Sequence, residues 1–210
     1  MTESTNIGDF IREKKEKLAQ NDDCGNSHYN LGVAYLSQRR WKEAEEEFFA
    51  AVESSPTLAE AYVQLGGIRM YQNDLEGCLY FNKKAVEVRP KFPVPYGNIG
   101  FVHLQLGEPE KAIEPLKQAL SLQPRFVQAH TTIASAYYAL KDYQKCIDHC
   151  ERALKVEPQF APAYNNLALC YYDQGKFDLA LENMDKAIQF GFEVAPQFRE
   201  QLEAHRSTGT

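Results

Sequence analysis

Residues 127–160 read VQAHTTIASAYYALKDYQKCIDHCERALKVEPQF, and residues 161–194 read APAYNNLALCYYDQGKFDLALENMDKAIQFGFEV. Set one under the other, the two stretches follow the same grammar of 34 residues. A ring (His130, Tyr164) opens each, and a large apolar residue with an alanine follows three places on (Ile133-Ala134, Leu167-Ala168). A second ring comes next (Tyr137, Tyr171), then a short break at Lys141 and Gly175. The second run carries a small residue (Cys146, Ala180) and an alanine seven places later (Ala153, Ala187). Self-similarity at a fixed period in this range is the mark of a repeat architecture.

The columns extend toward the N-terminus without a gap. Leu31, Leu65 and Ile99 precede Ile133 in register, and Gly32, Gly66 and Gly100 precede Ala134. Ala44, Cys78 and Ala112 share the register of Cys146, and Ala51, Ala85 and Ala119 that of Ala153. Opening rings stand at His28, Tyr62 and Tyr96, second rings at Tyr35 and His103, and breaks at Arg39, Asn73 and Gly107. Pro56, Pro90, Pro124 and Pro158 are each 34 apart. Each unit reads as two antiparallel helices with small residues where they cross. Proline ends the unit because it cannot extend a helix and biases its predecessor away from helical geometry.

In these columns the chain resembles the tetratricopeptide repeat family, with five uninterrupted units at 25–58, 59–92, 93–126, 127–160 and 161–194. A segment of 24 residues precedes them (1–24), and 195–210 follows as a capping helix and tail. The resemblance implies an all-α, right-handed superhelix of five helix-turn-helix repeats with flanking helices at both ends. The first helix of each repeat would line a concave groove and the second the convex side, and neighbouring repeats would share one core.

Composition is compatible with this. The chain has 210 residues, 44% apolar and 25% charged, as ordinary globular proteins do. A mean hydropathy of −0.49 and the lack of a long apolar run argue against a membrane span. A net charge of −6 argues against nucleic-acid binding, which needs a basic footprint. Met1 to Gly8 has no apolar run of the kind a secretory signal carries. Five cysteines, an odd number, then read as reduced thiols, and the expected location is cytoplasmic.

Departures from the pattern carry expectations of their own. Arg69 stands where the second ring of repeat 2 belongs and Asn82 where a large apolar residue belongs. Either the arginine snorkels and bonds its neighbours, or the repeat is weak and flexes. Pro115 falls inside the second helix of repeat 3 and should kink it, at a cost of about 3 kcal/mol if uncompensated. Repeat 5 ends at Gly191-Phe192, with Gly191 suited to the position after a helix C-cap. Val194, Phe198 and Leu202 form a narrow stripe after Pro196 that would cover the end of repeat 5. About Ile7 to Gln20 is helix-prone, with Ile7, Phe10, Ile11 and Leu18 interrupted by Lys14 and Lys15. It would cap repeat 1, or dock on another molecule or in a groove.

The residues nominate no catalytic site, cofactor or metal. Cys146, His149 and Cys150 share one helix, but a zinc site needs four ligands. Cys78 and Cys146 fall in the small-residue column, Cys150 in the adjacent apolar column and Cys170 on an inward position, as core-filling hydrophobes do. Cys24 is the exposed thiol, without a basic neighbour to activate it. His28, His103 and His130 replace rings in the signature columns, and Glu45, Glu46 and Glu47 read as a solvated face.

The positions that face the groove in this family hold two charged residues, Glu60 and Asp173, among 30. Apolar bulk stands there instead: Val33, Phe101 and Leu169 at position 9 of the repeat; Leu36, Met70, Leu104, Tyr138 and Tyr172 at position 12. Tyr29, Val63 and Tyr71 add to it. Contiguous apolar surface marks a partner site, although tight coiling would bury part of it, position 12 first. Position 6 reads Asn30, Gln64, Asn98, Thr132, Asn166. Such side chains donate and accept and so could hold the backbone of an extended ligand. The row is similar to the asparagine ladder in the repeats of the O-linked N-acetylglucosamine transferases. The carboxylate clamp of chaperone-tail-binding members is missing. Position 5 (Tyr29, Val63, Gly97, Thr131, Asn165) has no base, and position 9 no asparagine.

These observations point to a non-enzymatic scaffold whose groove takes an apolar or extended segment of another protein, as a strand or an amphipathic helix. Phe101, Tyr138, Leu169 and Tyr172 would be its anchors. The alternatives are a self-assembling scaffold, with a neighbour's N-terminal helix in the groove, and a regulatory subunit of a separate enzyme.

Overall fold

Arg39, Asn73, Gly107, Lys141 and Gly175 hold positive φ angles between 58 and 72°. These are the breaks read from the sequence. Each is the residue just past the C-cap of a helix, where a left-handed turn lets two trailing N–H groups reach back to the last carbonyls. In the first, Arg40 N donates to Tyr35 O at 3.0 Å and Arg39 N to Leu36 O at 2.9 Å. The other four close in the same way, down to Lys176 N on Tyr171 O and Gly175 N on Tyr172 O, both 2.9 Å. Gly191, at φ 87°, makes a sixth such closure with Phe192 N on Ala187 O at 2.8 Å.

The computed structural model describes Gly8, Ile11, Arg12 and residues 24–206. Residues 24–206 form eleven helices and no strand. They are α1 (Gly25–Ser37), α2 (Trp41–Ser54), α3 (Ala59–Tyr71), α4 (Leu75–Val88), α5 (Pro93–Gln105), α6 (Pro109–Leu122), α7 (Val127–Ala139), α8 (Tyr143–Val156), α9 (Ala161–Asp173), α10 (Phe177–Gln189) and α11 (Pro196–Glu203). The chain divides into two compact units, Met1–Pro95 and Tyr96–Thr210.

In the first unit, Leu31, Tyr35, Ala44, Phe48, Leu65 and Ile68 form the core. α1 crosses α2 closely at Gly32, where an added Cβ would lie 2.7 Å from Phe48 Cε1. In repeat 2 the residue opposite the glycine is Asn82, fully buried, and its amide donates to Cys78 O at 2.8 Å. Arg69 reaches back to Glu45 at 2.9 Å and along its own helix to Gln72 at 2.9 Å, with its guanidinium 5.9 Å from the Phe81 ring. Both departures of repeat 2 are thus bonded in place. Of the N-terminal stripe, Ile11 is buried in this core. Ile7, Phe10 and Leu18 lie outside the described residues.

The second unit holds two cores. Leu116, Ile133, Ala134, Cys146, Cys150 and Leu167 lie in one, and Ala168, Leu181, Met184, Val194 and Leu202 in the other. α6 runs unbroken from Pro109 to Leu122 with Pro115 inside it. Ala112, Leu116 and Ala119, fully buried on both sides of the proline, hold the helix across the lost hydrogen bond. α11 sets Leu202 fully into the last core, and Arg206 beyond it pairs with Asp185 at 2.8 Å.

Two substitutions should therefore act against intuition. Gly100→Ala would normally favour a helix by about 1 kcal/mol. Here the new Cβ would fall inside van der Waals contact of Leu116 Cγ, and overpacking should destabilise by about 1–3 kcal/mol. Lys141→Gly relieves the left-handed strain and should stabilise by about 1 kcal/mol. Urea unfolding of the two variants checks the opposite signs.

Candidate functional site

Three first helices of the second unit, α5, α7 and α9, present the side chains that the repeat pattern assigns to a groove. Phe101 projects from α5 with 40% of its surface exposed. It stands at the junction of two hollows of about 250 and 270 Å³, which also share Thr131, Thr132 and Pro162. One adds Ser135, Asn165, Asn166 and Phe192. The other adds Asn98, Phe126, Gln128 and Phe160. No ionisable side chain lines either hollow.

Phe101, Asn98, Thr132 and Asn166 are thus brought together. Their polar groups differ in availability. Thr132 Oγ1 donates to Gln128 O within its own helix at 2.8 Å. Asn166 Nδ2 donates to Thr131 O at 3.2 Å and Ser135 Oγ at 2.9 Å, tying α9 to α7. These bonds use the donors and leave acceptor oxygens.

Tyr138, Leu169 and Tyr172 are half-buried and line neither hollow. Tyr138 packs against the larger core and lies 6.1 Å from the Tyr143 ring. Burial, and next a hydrogen bond to Asp173, push its phenol well above the usual range. Tyr172 packs edge-on to Phe177 and Phe198, at 5.7 and 5.4 Å. In the first unit, Asn30 is exposed on α1, and Val63 and Gln64 are half-buried on α3. Both charged groove positions are engaged. Arg89 holds Glu60 bidentately and keeps its carboxyl below the usual range. Asp173 accepts from Tyr143 Oη at 3.2 Å.

The sequence reading missed Phe126 and Phe160 as lining residues. Each is the N-cap of the helix that follows. The signal was present in the column one place before each first helix: Leu58, Phe92, Phe126, Phe160.

The cysteines and histidines fall elsewhere. Cys146, Cys150 and Cys170 are fully buried, with the Cys146 and Cys170 sulfurs 2.8 Å apart. Burial pushes the Cys78 thiol up to about 11. Cys24 is exposed. The ring-column histidines do more than pack: His28 bonds Glu47 at 2.7 Å and His103 bonds Glu108 at 2.8 Å. His149 bonds His130 at 3.0 Å. Among the described residues, no three His, Cys, Asp or Glu side chains form a group able to hold a metal ion. No helix there is long and apolar enough to cross a membrane.

Family profiles described as tetratricopeptide repeat match residues 16–66, 95–126, 127–160 and 161–190. Comparison with curated proteins yields no match. Among solved structures, the chain is similar to pilF of Pseudomonas aeruginosa, at 18% identity and a TM-score of 0.81, over 96% of this chain and 91% of that one. It is similar to YrrB, described as a TPR protein with an unusual peptide-binding site, at 19% identity and 0.70, over 92% and 97%. It is also similar to a thermophilic TPR protein of Thermus thermophilus, at 22% and 0.66, over 86% and 97%. At these identities the likeness is one of fold, an all-α repeat solenoid.

The Asn166 amide makes a prediction separate from binding. Because its two bonds join α9 to α7, Asn166→Ala should lower stability by about 1 kcal/mol. Asn30→Ala, at an exposed position, should leave stability within about 0.5 kcal/mol. Thermal unfolding of each variant measures the difference.

Proposed function

This chain belongs to the tetratricopeptide repeat family, and from that premise we propose that it is a non-enzymatic interaction scaffold binding an apolar or extended segment of a partner protein. The observation that carries this reading is Phe101, a ring 40% exposed between two adjoining hollows whose linings contain no charge. A ring held in that way is an anchor for apolar side chains, and aromatic residues tend to dominate interface energetics.

The remaining acceptor oxygens of Thr132 and Asn166 would take the N–H groups of an extended backbone, with Asn98 in the adjoining lining. Phe126, Phe160 and Phe192 floor the hollows for its side chains. Leu169, Tyr138 and Tyr172 lie half-buried on the same helices, outside both linings. The first unit would offer Asn30, Val63 and Gln64 from its own first helices. The peptide-binding site attributed to YrrB supports the reading by fold analogy.

The test is capture of a partner by the full chain and by Phe101→Glu. The substitution removes about 2 kcal/mol of apolar contact and adds a carboxylate with no cation beside it. Capture should fall at least tenfold while the helical circular dichroism is unchanged. Raising salt from about 0.1 to about 0.5 M should release little, since the lining is uncharged. Equal capture by the variant, or release by modest salt, would sink the proposal. If the captured partner is a second copy of the chain, light scattering will rise with concentration and drop in the same variant.

A further inference from the structure

The second unit has another hollow, about 350 Å³, lined from α6, α7, α8 and the turn before α7. Its polar lining is Lys117, Ser121, His130, His149 and Arg152, and Leu120 and Pro124 make an apolar wall. It contains two full cations and no carboxylate. Several arginines elsewhere are neutralised by carboxylates: Arg40 by Glu43, Arg69 by Glu45, Arg89 by Glu60, Arg206 by Asp185. Among the described residues, Lys117 and Arg152 have no such partner.

The two imidazoles are set by a directional chain. Pro124 O can only accept, so the bond at 3.0 Å places a hydrogen on His130 Nε2. His130 Nδ1 of the neutral ring then accepts, and at 3.0 Å the hydrogen between the rings belongs to His149 Nδ1. This leaves His149 Nε2 as the open nitrogen, unprotonated while the ring is neutral. His149 is faced by His130 and Tyr137 from α7, Lys117 from α6, and Asp148 and Arg152 on α8. Burial first, then His130, Arg152 and Lys117, hold it neutral down to about 4, and Asp148 alone opposes them. Ser121 directs its hydrogen to Gln118 O at 2.8 Å and offers no donor.

We propose that this hollow is an oxyanion site that takes the phosphate of a phosphate monoester, held by Lys117, Arg152 and His149. Lysine and arginine supply the charge-assisted bonds that phosphate oxygens accept. An arriving dianion sets a negative charge beside His149 that offsets the burial and the neighbouring cations, so the ring takes up a proton at Nε2 and holds the anion by a hydrogen bond through it. Binding is therefore linked to proton uptake. The volume exceeds that of one phosphate group, and Leu120 and Pro124 leave an apolar side for the carbon skeleton that carries it.

The test titrates the full chain with phenyl phosphate and, separately, with inorganic phosphate, following the histidine ring resonances at matched ionic strength. Saturable shifts of His149 and His130 are expected. For phenyl phosphate, which stays mostly a dianion over this range, affinity should rise several-fold as the pH falls from about 8 to about 6.5, towards a limit of about tenfold per pH unit for one proton. Lys117→Gln and Arg152→Gln should each weaken binding by about tenfold, and His149→Gln should flatten the pH dependence. Tighter phenyl phosphate assigns the site to a phosphate on a carbon skeleton. Equal or tighter inorganic phosphate overturns that assignment in favour of the free ion. The site is refuted if neither anion shifts the rings, if chloride produces the same shifts, or if the double variant Lys117→Gln/Arg152→Gln binds as the unaltered chain does.

Discussion

At Gly100 the backbone of α5 meets Leu116 with no room for a methyl group, and the same contact recurs between Gly32 and Phe48 and between Gly66 and Asn82. This approach, one small residue against one side chain of the paired helix, sets the distance between the helices of each repeat. The left-handed closures at Arg39, Asn73, Gly107, Lys141 and Gly175 then direct each second helix back onto the first. Where alanine replaces the glycine, at Ala134 and Ala168, the residue at the position opposite is Cys150 or Met184 rather than a ring or a branched leucine. The core cysteines are thus part of the spacing, since a thiol is small, apolar and adaptable.

The same geometry sorts the charge. Because second helices cover one side of the first helices, the residues left for the other side are those the cores do not need. In the second unit these are Phe101, Asn98, Thr132 and their neighbours, without an ionisable group in either hollow. The two charged residues at the family's groove positions are each engaged within their own unit, Glu60 by Arg89 in the first and Asp173 by Tyr143 in the second. The net charge of −6 therefore describes surfaces other than these hollows. A different hollow, at Lys117 and Arg152, has the opposite character, with two cations in its lining.

Much of the fold was legible in the sequence, because period and steric demand are local properties. The 34-residue columns predicted the helix pairs, and the breaks fell on the residues that adopt positive φ. Gly191 was legible for the same reason. At Pro115 the sequence shows the lost backbone hydrogen bond, and α6 stays helical through it, with buried residues on either side. The lining of the two hollows was legible in part. Phe101 stands out in its column, whereas Tyr138 and Tyr172 look the same on paper and differ in packing, since their rings lean on Tyr143, Phe177 and Phe198.

The sequence by itself determined the repeat, the breaks between paired helices and the positions that must stay small, since each follows from the volume and backbone freedom of single residues at a fixed spacing. Only the tertiary structure decided which polar side chains are already bonded. Asn166 ties α9 to α7, and His130 and His149 make one chain of hydrogen bonds from residues 19 apart. Such partners meet across helices, where distance in space has no counterpart in distance along the chain.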